Sequence, residues 1–159
     1  MENLWAPWRI GYVQNLGEKR ECFICHNVNN PQQDEENFVI KRTANCLVML
    51  NKFPYNNGHL LIAPQKHAAE FDELDDAVLL EITKLIVDCK KMLTAAIKPH
   101  GFNVGMNFGR CAGAGLPGHL HIHIVPRWDG DINFMAVCAD TRVISQSLGE
   151  LYKKLKIGK

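Results

Sequence analysis

Apolar positions fall into short, separated runs over the first half of the chain and then change rhythm. The runs Phe38 to Lys41, Cys46 to Leu50 and His59 to Ala63 are parted by turn-forming residues, including Pro54 and Asn56-Asn57-Gly58. That pattern predicts three strands of an antiparallel meander. Between Asp72 and Ala96 the apolar positions 74, 78, 82, 85, 86, 89 and 93 keep helical spacing. They predict one long helix, with Asp72 as N-cap and Pro99 and Gly101 beyond its end. Phe102, Val104, Met106 and Phe108 then alternate with Asn103, Gly105, Asn107 and Gly109, the period of a strand. Residues 141–156 suggest a terminal amphipathic helix whose lysines form a solvated face. Residues 29–36 are polar and read as a loop, and neither an internal repeat nor an interdomain linker is visible.

The sharpest alternation carries chemistry. In His119-Leu120-His121-Ile122-His123-Ile124-Val125 the imidazoles occupy every second position. On a strand they project from one face while Leu120, Ile122 and Ile124 pack on the other. Imidazoles crowded together repel one another when protonated, so the row marks a site rather than a core pattern. Two chemistries suit it. Neutral imidazole is a common metal ligand, but His119 and His123 would lie about 13 Å apart along a strand, so at most two neighbours could share an ion. The alternative is nucleophilic catalysis, with one neutral imidazole attacking while its neighbours orient it and handle protons. The central His121 is best placed for that role.

A glycine-rich loop, Asn107-Phe108-Gly109-Arg110-Cys111-Ala112-Gly113-Ala114-Gly115-Leu116-Pro117-Gly118, runs directly into the row. Its glycines permit a nest of backbone N–H groups that would receive a phosphate, with Asn107, Gly113 and Gly115 as candidate binding positions. Trp128, just beyond the row, could stack on a base or simply pack.

Composition narrows the ligand. The chain has 159 residues, 47% hydrophobic and 22% charged, which suits a single globular domain. Eighteen basic against seventeen acidic residues leave a net charge of +1. No strong field would draw nucleic acid, so a small anion held locally fits better. The opening Met1-Glu2-Asn3-Leu4-Trp5-Ala6-Pro7-Trp8-Arg9 shows no export signal and no run spans a bilayer, so a cytoplasmic location and no membrane partner are expected. Six cysteines in a reducing compartment need not pair. Cys46, Cys89 and Cys138 read as small buried hydrophobes, and Cys111 in the glycine loop as the more reactive thiol. Cys22-x-x-Cys25 could supply half of a tetrahedral zinc site or remain two plain thiols. With His26 it also matches covalent haem attachment, which a cytosolic chain does not support. His100, between Pro99 and Gly101, reads as an exposed turn residue.

Gly118-His119-Leu120-His121-Ile122-His123-Ile124-Val125-Pro126-Arg127 resembles the signature of the histidine triad superfamily, and Asn57-Gly58-His59-Leu60-Leu61-Ile62-Ala63-Pro64-Gln65-Lys66-His67 resembles its second recurring element. Leu4-Trp5-Ala6-Pro7-Trp8-Arg9, the loop 112–118 and the segment 126–134 resemble the bacterial diadenosine tetraphosphate phosphorylase branch. Many hydrolase members carry glutamine four residues before the first triad histidine; here that residue is Gly115, consistent with phosphate rather than water as the second acceptor.

The resemblance implies an α+β fold with an antiparallel sheet, one long helix and a C-terminal helix, usually a homodimer with a joined sheet. Its core would run from 22 to 135, between an N-terminal arm (1–21) and a C-terminal segment (136–159). It implies His121 as nucleophile, His123 as donor to the leaving phosphate, and His59 and His119 completing the catalytic set. Asn51 matches the ribose contact, and Met49 and Leu61 match base-pocket positions, although as residues alone they read as a turn and as core. A structural zinc would be held by Cys22, Cys25, His67 and His119, with no organic cofactor. The activity implied is nucleotidyl transfer, foremost phosphorolysis of diadenosine tetraphosphate with inorganic phosphate to ATP and ADP. Hydrolysis of dinucleoside polyphosphates or phosphoramidates to AMP, a nucleotide-binding signalling module and a zinc-dependent enzyme using the histidine row are the alternatives.

Overall fold

The computed structural model of the chain describes residues 21–131 and 144–157. Strands β1 (Val39–Arg42), β2 (Cys46–Leu50), β3 (Leu60–Pro64), β4 (Gly101–Gly105) and β5 (Ile122–Arg127) form one five-stranded sheet in the order β1-β2-β3-β5-β4. All its pairings are antiparallel, and the meander expected from the first three apolar runs is present as β1, β2 and β3. Helices α1 (Phe23–Asn29), α2 (Asp76–Ile97) and α3 (Leu148–Ile157) complete an α+β fold.

The period of two along each strand separates two buried faces. On one face Val48, Leu50, Leu60, Ile62, Leu120, Ile122 and Ile124 meet Ile82, Leu85, Cys89 and Leu93 of α2 and Leu151, Tyr152 and Leu155 of α3. Each large apolar side chain buried there contributes about 1.5–3 kcal/mol. On the opposite face Val39, Leu47, Met49 and Leu61 pack together beside Val28 of α1. Arg42 ties α1 to the sheet, pairing with Asp34 and donating to the carbonyl oxygens of Val28 and Asn27, near the end of the helix where such groups lack partners. Alternation therefore assigns Leu120, Ile122 and Ile124 to the α2 side as expected, and register sets His123 opposite Leu61 on one neighbour and Gly105 on the other.

Several boundaries differ from the sequence pattern. The long helix begins at Asp76, not Asp72, because Phe71–Glu73 forms a separate 3-10 turn in which Glu73 accepts the amides of Ala69 and Glu70. Asp75, with extended backbone, takes the N-cap position that the pattern gave to Asp72. Lys98, left-handed at φ 48°, ends the helix just before Pro99, as expected. The strand expected over 102–109 is confined to Gly101–Gly105, since its ladder with β5 stops where Gly105 meets His123. The histidine strand pairs only from Ile122 onward, so His119 and His121 precede the ladder. The terminal helix starts at Leu148 rather than near 141; positions 141–143, the N-terminal arm with Trp5 and Trp8, and Cys138 lie outside the described residues.

Gly58 is the tightest point in the loop leading to His59. Its φ is +77°, and a Cβ there would stand 2.6 Å from Ile97 Cδ1 and 3.0 Å from Pro126 Cγ. Gly58→Ala combines left-handed strain with overpacking and should cost about 2–4 kcal/mol. A urea-unfolding midpoint unchanged from wild type would refute this.

Candidate functional site

His59 immediately precedes β3, His121 immediately precedes β5, and His123 lies within it, so the β3–β5 pairing brings the three together. Hydrogen bonds settle their tautomers. The His119 carbonyl can only accept, so its 2.8 Å contact with His121 Nδ1 puts the proton there and leaves the Nε2 lone pair free. His59 Nδ1 accepts the Tyr55 amide at 3.0 Å, so its proton sits on Nε2, which donates to His123 Nδ1 at 2.9 Å. His123 must then carry its proton on Nε2, a buried atom with no hydrogen-bond partner among the described residues. The site thus offers a nucleophilic nitrogen on His121 and an unsatisfied donor on His123, with ring centroids 5.0 Å apart. Buried donors of this kind usually have a partner, and a substrate oxygen would supply one.

Desolvation keeps His59 and His123 neutral. Burial, with the neighbouring His123 and His121 adding to it, pushes His59 down to about 3, and burial with His121 pushes His123 down to about 4. Between pH 6.5 and these values the unfolded chain binds protons that the folded site refuses, so stability falls as pH falls. For the fully buried His59 the loss at pH 5 is about 2 kcal/mol, and the partly exposed His123 adds a smaller amount. The urea midpoint should therefore drop between pH 7 and pH 5, less steeply in His59→Gln; identical slopes would remove His59 as a cause.

Tyr55 and Asn51 hold the relay, and neither role was legible in the sequence. Tyr55 stacks on His123 at 5.6 Å and leans on His59 at 4.7 Å. The Asn51 side chain accepts the Phe53 amide at 2.9 Å and lies 3.3 Å from His59 Nδ1 through Nδ2. Asn56 fastens the same loop to β5, donating to the Pro126 carbonyl and to Asp131, whose carboxyl the paired Arg127 helps hold down at about 2. No periodicity marks these residues; only the turn composition of 51–58 hints that the loop is shaped.

The first histidine of the row faces another group. His119 Nδ1 lies 3.1 Å from Cys22 Sγ and 3.5 Å from Cys25 Sγ, and His67 Nδ1 lies 3.1 Å from Cys25 Sγ. The four ligand atoms all lie within 4.8 Å of one another. His119 Nε2 donates to the Pro64 carbonyl at 2.9 Å, which leaves its Nδ1 lone pair aimed at the thiols. Two thiols and two imidazoles in this arrangement suit a tetrahedral zinc, and the carbonyl bond behind His119 orients the ligand. Burial and the neighbouring Cys22 push the Cys25 thiol up to about 11, so metal binding would have to displace its proton.

The remaining candidates disperse. Met49 and Leu61 are buried on the histidine side of the sheet. Asn107 donates to the Gly113 carbonyl at 3.4 Å, while the Gly113 and Ala114 amides bond back to Arg110 and Gly109, so these two N–H groups are spent within the loop rather than in a nest. Gly115 is exposed. Trp128 sits five residues beyond His123, about 17 Å at strand rise, and donates to the Lys98 carbonyl at the end of α2. Cys46 and Cys89 are buried, Cys111 is exposed, and His100 is an exposed turn residue beside Asp129, as expected.

The model of the HIT domain matches residues 32–130, which takes in the loop before His59, the long helix and the histidine row. The chain belongs to the HIT domain family. An AP-4-A phosphorylase from Mycobacterium tuberculosis is 34% identical over 161 residues, covering 98% of this chain and 83% of the relative. An adenosine 5'-monophosphoramidase from Schizosaccharomyces pombe is 38% identical over 106 residues, covering 67% of this chain and 74% of that one. A hypothetical histidine triad nucleotide-binding protein from Sulfolobus tokodaii superposes with a TM-score of 0.67 at 29% identity, covering 85% of this chain and 89% of that one. A zinc-bound histidine triad family protein from Mycobacterium smegmatis shares the fold, with a TM-score of 0.68 at 21% identity over 86% and 91%. This HIT chain is an enzyme, and no helix among its described residues is long and apolar enough to cross a membrane.

Proposed function

We propose that the chain is a nucleotidyl transferase that splits diadenosine tetraphosphate with inorganic phosphate into ATP and ADP. The observation that carries this reading is the His121 tautomer: its Nδ1–H is bound to the His119 carbonyl, so Nε2 attacks without first losing a proton. Nε2 forms a bond to the α-phosphorus as the bond to the bridging oxygen breaks, and ATP departs with that oxygen facing the His123 Nε2–H. Phosphate then attacks the same phosphorus, the P–N bond breaks, and ADP leaves with His121 restored. Asn51 Oδ1 keeps a second lone pair for a ribose hydroxyl, Met49 and Leu61 form the apolar floor beside His123, and Asn107 and Gly115 sit in the loop that would face the phosphates. The likeness to the mycobacterial AP-4-A phosphorylase over nearly the whole chain supports the choice of substrate and acceptor. Likeness to the monophosphoramidase favours a second reading, in which water resolves the intermediate and AMP is released.

Product analysis decides between them. Diadenosine tetraphosphate incubated with and without phosphate should give ADP and ATP only when phosphate is present. AMP with ATP regardless of phosphate would establish the hydrolase, and no cleavage would overturn the phosphorylase and make an adenosine phosphoramidate the next substrate to test. On the same reading Cys22, Cys25, His67 and His119 hold a structural zinc. A second copy of the chain joins along β4, which among the described residues pairs with β5 alone and presents an exposed Val104. Sedimentation at the mass of a single chain would refute that pairing.

A further inference from the structure

The two imidazoles of the Cys22–Cys25–His67–His119 cluster are each one covalent step from a single hydrogen-bonded path that ends on the nucleophile. His67 is followed by Ala68, whose carbonyl accepts the Leu120 amide at 2.7 Å. That amide shares its planar peptide unit with the carbonyl of His119. The same His119 carbonyl accepts Nδ1–H of His121 at 2.8 Å. The side chain of His119 is fixed at both nitrogens, by the Pro64 carbonyl at 2.9 Å and by the thiols at 3.1 and 3.5 Å. Both His119 and Ala68 are almost wholly buried, and neither belongs to a strand of the sheet, so the ladder does not fix this peptide.

We propose that the cluster positions the nucleophile: ligation through His67 and His119 sets the plane of the His119–Leu120 peptide, and that plane holds the His121 proton on Nδ1 and aims Nε2. His67 and His119 are then positioning residues for the proposed transfer at His121, on which this inference rests. Two anchors fix the peptide plane when the donors are drawn onto one ion, the Ala68 carbonyl from the His67 side and the His119 Cα from its own. Without the ion, the Cys25 contacts to His67 and His119 are weak thiol hydrogen bonds, and the plane can rotate. Rotation lets the imidazole proton exchange to Nε2 and withdraws the lone pair from attack. The path runs through none of Asn51, Met49 and Leu61, and α1 meets the last two through Val28, outside the path, so the main effect falls on kcat.

The test is nitrogen NMR of histidine-labelled full-length protein, with zinc and after chelation, alongside steady-state kinetics on diadenosine tetraphosphate. Zinc-loaded protein should show His121 as a single Nδ1–H tautomer with a slowly exchanging proton, and chelated protein a mixed tautomer with fast exchange. Chelation should lower kcat by about tenfold to a hundredfold, the range for losing an outer-shell partner of a metal site, with KM within about twofold. Cys22→Ser, which keeps three donors, should reproduce the change and be rescued by added zinc; circular dichroism at each point identifies folded samples. If chelation unfolds the wild type, folded Cys22→Ser without added zinc is compared with zinc-loaded wild type instead. An unchanged His121 tautomer in folded, metal-free wild type or in folded Cys22→Ser without added zinc overturns the proposal, as does a change confined to KM. Failure of the wild type to cleave any nucleotide would refute the transferase reading separately, while the NMR comparison still decides the coupling.

Discussion

His121→Ala should abolish turnover while leaving a folded protein that still binds nucleotide. Among the three imidazoles of the described site, His121 alone keeps a ring lone pair that accepts no hydrogen bond, and neither neighbour can replace it. The His59 Nδ1 is occupied by the Tyr55 amide, and His123 Nδ1 accepts from His59. Loss of a covalent nucleophile that works with an orienting group costs on the order of 10⁴-fold or more in kcat. The fold should suffer far less. His121 makes one local hydrogen bond, to a residue two positions away, and losing it costs about 1 kcal/mol. Two measurements check this together: substrate labelled at the α-phosphate should mark wild type on His121 under acid-sensitive conditions and leave the variant unmarked, and equilibrium binding of a non-cleavable nucleotide should agree within a few-fold. Labelling that persists in the variant would move the nucleophile elsewhere. His123→Ala should be milder, since it removes a donor rather than the attacking atom, and a typical acid–base contribution is about 10²–10⁴-fold.

Much of this site could be read from side-chain order alone, because alternation fixes which residues share a face. Leu120, Ile122 and Ile124 in the α2 core and His123 on the opposite face follow directly from period two. The meander and the end of the long helix at Lys98 were legible for similar local reasons, spaced apolar runs and a following proline. What was hidden belongs to the backbone. The carbonyls of Pro64 and His119 and the amide of Tyr55 decide the tautomers, yet any residue offers such backbone groups, so no residue type announces them. The same cause misplaced the helix start: Asp72 and Asp75 are equally good caps by composition, and the Glu73 carboxylate, turned back on two amides, chose between them. Trp128 left two readings open, base stacking and plain packing. Its aromatic ring suggested a base platform, while its indole N–H found the open carbonyl at the end of α2, the sort of group a helix leaves unsatisfied.

Removing metal from the Cys22–Cys25–His67–His119 cluster should lower the melting temperature by about 8–16 °C. The size follows from linkage. An ion bound only by the folded chain stabilises it by about 4 kcal/mol when free metal is a thousand times its dissociation constant, and in a domain of this size each kcal/mol moves the midpoint by about 2–4 °C. The donors come from three separate places, α1, the segment after β3 and the approach to β5, so an unfolded chain offers no equivalent site. Cys22 also caps α1, accepting the Cys25 amide at 3.4 Å, so the same thiol links helix and cluster. Cys25→Ser, which leaves that cap untouched, is therefore the cleaner variant: it should lose most of the zinc-dependent shift while its metal-free melting point stays near that of metal-free wild type. Calorimetry with zinc and with chelator gives the answer directly. A midpoint indifferent to both would leave two plain thiols beside two histidines. A shift that survives in Cys25→Ser would place the ion somewhere other than this cluster.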